Sequence, residues 1–294
     1  MILRWGSRVI LLAAVIAAAA GCRKKDEAEQ IGETVGEAMS SLDDAMAGES
    51  SAALLPFRRV PDELKRPAWR RAIDDVIPSA YAATCWEPTF SACDSTSATG
   101  VRSKDFGGCM IGGATLEGTV TLTFNRPLCA VLTAGDAVTR TADLTLTGRY
   151  GGTLEITSPG GGQTLTKTAD GFAYSVGGME RVATTAGGRT LFDVATRTTA
   201  PIVVTGSSRA DLKIVSGSFE IDHKVAGYKV TLTADNLAWT SNCNCASSGT
   251  RDGTVSGGKH DGKAASVMIT GCGEAEVTID GETESVSMDR CSPM

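Results

Sequence analysis

Aromatic side chains make up only 5% of this 294-residue chain. That scarcity argues against a broad sugar-stacking surface and leaves Trp86 and Trp239 as candidate ligand platforms. Both stand beside cysteines, in CWEP and AWTSNC. An aromatic packed on a disulfide, as in β-sandwich domains, is therefore the expectation for each. Histidine is nearly absent. His223 and His260 are the only two, and no pair has metal-ligand spacing. The chain contains neither a Gly-x-Ser-x-Gly nucleophile elbow nor a phosphate-cradling Gly-x₄-Gly-Lys-Ser/Thr loop. Glu180, Asp193 and Glu220 are single carboxylates expected on wet strand faces, without the pairing that acid–base hydrolysis needs. The 28 basic residues fall short of the 34 acidic ones, giving a net charge of −6. An acidic surface does not follow phosphate backbones, which excludes nucleic acid as a partner.

The first residues, MILRWGSRVILLAAVIAAAAGC, carry Arg4 and Arg8 ahead of an unbroken apolar run from Val9 to Ala20. The run has the length of a secretory core and is too short to span a bilayer, which takes about 20 apolar residues. It closes in Ala19-Ala20-Gly21-Cys22. This resembles the lipobox of bacterial lipoproteins, although Ala19 stands where the family pattern prefers Leu. The resemblance covers residues 1–22 and speaks to address, not activity. It implies cleavage after residue 21 and diacylglycerol on Cys22, an anchor gaining about 0.8 kcal/mol per buried methylene. Arg23 after the lipidated cysteine, in place of Asp, implies the outer membrane by the sorting rule of enteric bacteria. Removing Arg4 and Arg8 leaves 26 basic against 34 acidic residues, or −8.

Nine cysteines less Cys22 leave eight: Cys85, Cys93, Cys109, Cys129, Cys243, Cys245, Cys272 and Cys291. An even number in an oxidising compartment reads as four disulfides. No cysteine occurs in the 113 residues between Cys129 and Cys243, so pairing is expected within each group of four. Cys243 and Cys245 project from one face of an extended chain, and bonding to each other would close a strained ring. Four cysteines near His260 also admit a structural zinc, but the one-residue gap is off the usual Cys-x₂₋₄-Cys spacing. Ser256-Gly-Gly-Lys259 matches the Ser-x-x-Lys of penicillin-interacting enzymes in letters only. There the serine opens a helix; here it lies in a glycine-rich turn without companion motifs.

From Asp26 to Glu49 there are eight acids and no base. Ala28, Ile31, Val35, Ala38, Leu42 and Ala45 repeat at spacings of three and four, which predicts an amphipathic helix. Gly32 and Gly36 offer it a small-residue face. The expectation is a partly helical, solvated tether over 22–56, since so short an isolated helix is marginal. Over 57–83 a basic amphipathic helix is predicted, with Trp69, Ala72, Ile73, Val76 and Ile77 on one stripe and Pro78 as its stop.

After residue 84 the period changes to two. Val120, Leu122, Phe124; Ala142, Leu144, Leu146; Leu154, Ile156; Phe219, Ile221; and Tyr228, Val230, Leu232 alternate with polar residues. His223 continues the inward parity of Phe219 and Ile221. Asp170-Gly171, Asp252-Gly253, Asp261-Gly262 and Asp280-Gly281 read as tight turns. The last hairpin, with a four-residue loop Asp280 to Thr283, would set Val277 opposite Val286 and Ala275 opposite Met288. It would also make Cys272 and Cys291 neighbours, bonded to each other or each to one of Cys243 and Cys245. The fold class is thus mainly β, an antiparallel sandwich or an open curved multi-stranded sheet, preceded by short N-terminal helices. The organisation is a signal at 1–21, a tether at 22–56, a helical segment at 57–83 and a disulfide-stapled β domain at 84–294, with a split near 205 left open. The functional expectation is a non-enzymatic binding, adhesion or structural module of the bacterial envelope, without a cofactor. Its partners would be the membrane, through the N-terminal lipid, and an envelope protein or glycan. The alternative is a lipid or lipoprotein carrier with an apolar β cavity, and a hydrolase ranks last.

Overall fold

A computed structural model describes residues 27, 28, 30–32, 34, 35, 90–94, 98–111, 114–206, 209–243, 245–288 and 291. The signal segment, Cys22, the helix expected over 57–83, Cys85 and Trp86 lie outside the described residues.

The alternating stretches form thirteen strands: β1 (Gly100–Asp105), β2 (Cys109–Ile111), β3 (Ala114–Phe124), β4 (Ala137–Thr147), β5 (Thr153–Lys167), β6 (Gly171–Thr184), β7 (Thr190–Thr205), β8 (Lys213–His223), β9 (Tyr228–Trp239), β10 (Ala246–Gly257), β11 (Ala264–Gly271), β12 (Glu274–Ile279) and β13 (Glu282–Ser287). All join one antiparallel sheet. From β3 onward each strand pairs with its neighbours in sequence, and β1 and β2 share the free edge of β3. Sandwich or curved sheet is therefore decided for the single sheet. Near 205, where a division was left open, β7 and β8 pair across the connection, Thr205 opposite Lys213.

One face is buried along most of the sheet. In β4 the residues Val138, Arg140, Ala142, Leu144 and Leu146 all point inward while their neighbours do not. The main core runs from β6 to β12, and two smaller clusters sit beneath β2–β5. Register breaks interrupt the pairing at Thr157/Gly162 in β5, Tyr174/Met179 in β6, Thr198/Ala200 in β7 and Ser248/Thr250 in β10, while β8 and β9 pair without one. Bulges of this kind bend strands and strengthen twist. On the outer face, threonine pairs such as Thr139–Thr164 (2.9 Å) and Thr153–Thr184 (2.6 Å) join neighbouring strands.

The acidic N-terminal stripe is helical at its described positions within 27–35, as its period predicts. It is not a solvated tether there. Ile31 is 0% exposed and joins the main core with Val35. Tyr228 at the start of β9 reaches Thr34 Oγ1 (3.0 Å) and the Gln30 carbonyl (3.3 Å). A side chain at Gly32 would meet Val286, Val277 and Glu284, so the small face serves a sheet rather than another helix.

Two further expectations are corrected. The last hairpin turns in two residues, with Asp280 at φ 53° and Gly281 at φ 85°, and Val277 lies opposite Glu284. Asp-Gly is the pair that such a left-handed turn favours, and the helix at Gly32 covers the Cβ of Glu284. Asp252-Gly253 lies inside β10, not in a turn. There the missing Cβ of Gly253 lets the Thr231 carbonyl approach closely.

Candidate functional site

Among the described residues the inward face carries three buried cations that its parity does not explain: Lys104 on β1, Arg251 on β10, which lies over the Phe219 ring at 5.1 Å, and Arg140 on β4. Arg140 occupies an apolar slot of β4, between Val138 and Ala142, and is 6% exposed. Strand pairing sets it beside Leu122 on β3 and Gln163 on β5. Gln163 in turn faces Val176 on β6, and Leu165, two residues on, faces Tyr174. Tyr174 is 1% exposed. The site is thus a small polar patch within walls of Leu122, Val138, Leu165 and Val176.

Within it, Arg140 Nη1 donates to Gln163 Oε1 at 2.9 Å. Among the described residues Nε and Nη2 have no hydrogen-bond partner, and neither has the Tyr174 hydroxyl. No described carboxylate pairs with this guanidinium. Nε–H and Nη2–H point the same way and form the edge that meets two oxygens of a carboxylate or phosphate at once. Burial lowers the Arg140 pKa to about 10, and Arg181 nearby pushes in the same direction, while Tyr174 opposes it. Burial also raises the Tyr174 hydroxyl pKa, partly offset by the positive charges of Arg140 and Arg181. The patch is therefore a positive, buried group of donors without an anion among the described residues. Its chemistry suits holding an oxyanion, since a buried charge is costly until it is matched.

The residues marked in the sequence fall elsewhere. Cys93–Cys129, Cys243–Cys272 and Cys245–Cys291 are disulfides, each within its expected group. Cys109 is disulfide-bonded as well, to a partner outside the described residues. The SNCNC cysteines therefore bond separately to two different partners, which removes the zinc reading for them. His223, at the end of β8, lies between the rings of Phe192 (5.6 Å) and Tyr228 (5.2 Å). Its Nδ1 accepts from the Ala226 N–H, and burial lowers its pKa. His260 lies in the β10–β11 turn and is buried there. Trp239 is buried in the main core and offers no ligand platform. Ser256 is the penultimate residue of β10, paired with Lys229, rather than part of the glycine-rich turn, and the backbone N–H of Lys259 is held by the Glu27 carboxylate at 2.7 and 2.9 Å, so the Ser-x-x-Lys letters build no helix. Glu180 and Asp193 pair with Lys224, and Glu220 pairs with Arg197 and Lys229, as a charge ladder on the outer face. Partly exposed pairs of this kind contribute ~0–1 kcal/mol each.

Sequence reasoning passed over Arg140, Gln163 and Tyr174. The signal was present: in AVTRTADLTLT an arginine fills a position of the inward set. No family model matches this chain, and no match to it was found among curated proteins or solved structures.

Proposed function

We propose that this chain is an envelope lipoprotein, anchored through Cys22, whose β domain is a non-enzymatic binding module for an anionic ligand with an apolar body. The observation that carries the ligand is the unpartnered Nε/Nη2 edge of Arg140, buried among aliphatic side chains. An inorganic anion would leave Leu122, Leu165 and Val176 without a role. A carboxylate or phosphate monoester on an acyl or other apolar chain would use both kinds of surface. This joins the binding-module reading to the carrier alternative, with the inward face as the cradle. Disulfides support an oxidising compartment, and the lipobox-like signal supports the anchor. Arg23 favours the outer membrane. An envelope protein or glycan partner through the sheet edges is the second reading, but Trp239, its aromatic candidate among the described residues, is buried.

The test is titration of the purified mature protein with a long-chain carboxylate and an alkyl phosphate, read by calorimetry and native mass spectrometry. Stoichiometric binding that falls at least about tenfold in Arg140→Met is expected, since charge-assisted hydrogen bonds contribute roughly 1.5–3 kcal/mol each. No binding of either compound, or equal binding by the variant, would sink the ligand assignment. Intact mass then tests the anchor separately: a chain beginning at Cys22 and carrying acyl mass supports it.

A further inference from the structure

The sheet has two chemically different ends. The strands run up and down, so the turns 148–152, 185–189, 224–227, 258–263 and 280–281 all lie at one end. They hold five basic residues (Arg149, Arg189, Lys224, Lys259 and Lys263) against Asp261 and Asp280. The connections at the other end, 125–136, 168–170, 206–212, 240–245 and 272–273, hold Arg126 and Arg209 against Asp136, Asp170 and Asp211. The turns at one end thus sum to +3, or +2 with the Glu27 carboxylate docked on them, and the connections at the other to −1, on a chain that is −6 overall. Lys224 and Lys263 are paired with acids, whereas Arg149, Arg189 and Lys259 make no ion pair among the described residues. Arg149 lies over the ring of Tyr150 at 4.5 Å, and Tyr150 is 65% exposed. Val225, at the tip of a third hairpin, is exposed as well. Leu128 and Leu132 at the other end are equally exposed, so charge rather than apolarity separates the two ends.

The N-terminal helix fixes which end is near the anchor. Glu27 is bound to the backbone of Lys259 in the β10–β11 turn. Cys22 is five residues earlier, and an extended chain covers at most ~3.6 Å per residue, or about 18 Å. The intervening Arg23, Lys24 and Lys25 are themselves basic. The disulfides Cys243–Cys272 and Cys245–Cys291 staple the opposite end, on the order of 40 Å away along the longer strands.

We infer that the basic hairpin end is a membrane-apposed surface that seats the domain on anionic headgroups, with Arg149, Arg189 and Lys259 as contacts and Tyr150 in the interface. This rests on the anchor at Cys22 proposed above. Each basic side chain at an anionic bilayer strengthens binding about fivefold, and tyrosine suits the headgroup level.

The mature protein would be reconstituted in vesicles of phosphatidylcholine alone or mixed with phosphatidylglycerol, and amide hydrogen exchange followed in the turns. The expected result is slower exchange at 148–152 and 185–189 in the anionic vesicles only. The protection should vanish in high salt and in the Arg149→Glu, Arg189→Glu variant, with 168–170 and 240–243 unchanged throughout. Equal exchange in both lipids, or protection at 168–170, overturns the inference. If mass shows no lipid on Cys22, the anchor fails by itself, and the same protein is sedimented with the same vesicles. Binding to anionic vesicles that drops at least about fivefold per reversed charge still upholds the surface; no binding overturns it.

Discussion

Arg140→Met separates a ligand site from a structural residue, because the two roles move stability in opposite directions. Burial lowers the Arg140 pKa to about 10, well below the ordinary guanidinium value. That corresponds to roughly 3 kcal/mol lost by the charged form on folding. Methionine fills much of the same space and carries no charge. Against this gain stands Gln163, whose Oε1 loses its donor; an unmet buried acceptor costs about 1–3 kcal/mol. The single variant should therefore be neutral to about 2 kcal/mol more stable, and the double variant with Gln163→Leu about 2–3 kcal/mol more stable. Both should lose the anionic ligand. The assay is equilibrium urea unfolding with the disulfides intact, accepted where the slope with urea stays constant. A loss of about 3–5 kcal/mol in the single variant is the signature of breaking a buried ion pair. That result would mean that Arg140 already has a structural counter-charge, and the site assignment would be wrong.

Ile31→Ala should destabilise the domain by about 2–5 kcal/mol, read from the shift of the urea midpoint, because it opens a cavity between helix and sheet; an unchanged midpoint would return this segment to the role of tether. Non-reducing peptide mapping should recover Cys243 joined to Cys272 and Cys245 to Cys291, and replacing the latter pair by serines should cost about 4 kcal/mol for a closed loop of 46 residues. Gly253→Ala should lower the melting temperature sharply, since its new methyl meets the Thr231 carbonyl, whereas Gly262→Ala, with nothing near its Cβ direction but a φ of 74°, should cost about 1 kcal/mol. His223 is held neutral by a pKa pushed below 6.5. Unfolding frees it to bind a proton, so its contribution is full above 6.5 and is lost as pH falls from there through its folded value. Unfolding curves on either side of 6.5 should show that slope in the native protein and a smaller one in His223→Phe.

Much of the sheet was legible because its inner face is made one strand at a time. Val120, Leu122 and Phe124, or Tyr228, Val230 and Leu232, reveal their burial by local alternation alone. What escaped depends on residues far away. The tolerance of β13 for Glu284 opposite Val277 comes from a helix some 250 positions earlier in the chain, and no local pattern reports that cover. The stripe of Ala28, Ile31 and Val35 announced a helix but not what it packs on. Asp252-Gly253 has the letters of a turn, yet Gly253 serves a close approach of backbones within β10. Arg140 was visible as a charge in an apolar slot. Its lack of a described counter-ion is a property of three dimensions.

The docking of residues 27–35 onto β9–β13 joins the two extremes of the chain, with Glu27 and Lys259 separated by 232 positions. A chain made from its N-terminus delivers the helix first and its receiving surface last. Every hairpin from β3 to β13 can close as it emerges, since each strand needs only its predecessor. Ile31 and Val35, however, have nowhere to go until the final strands arrive. The helical residues within 27–35 therefore pass through a long interval before their receiving surface exists. Capture of the helix becomes the last step of folding, and it brings residues 27–35 to one end of a sheet already built.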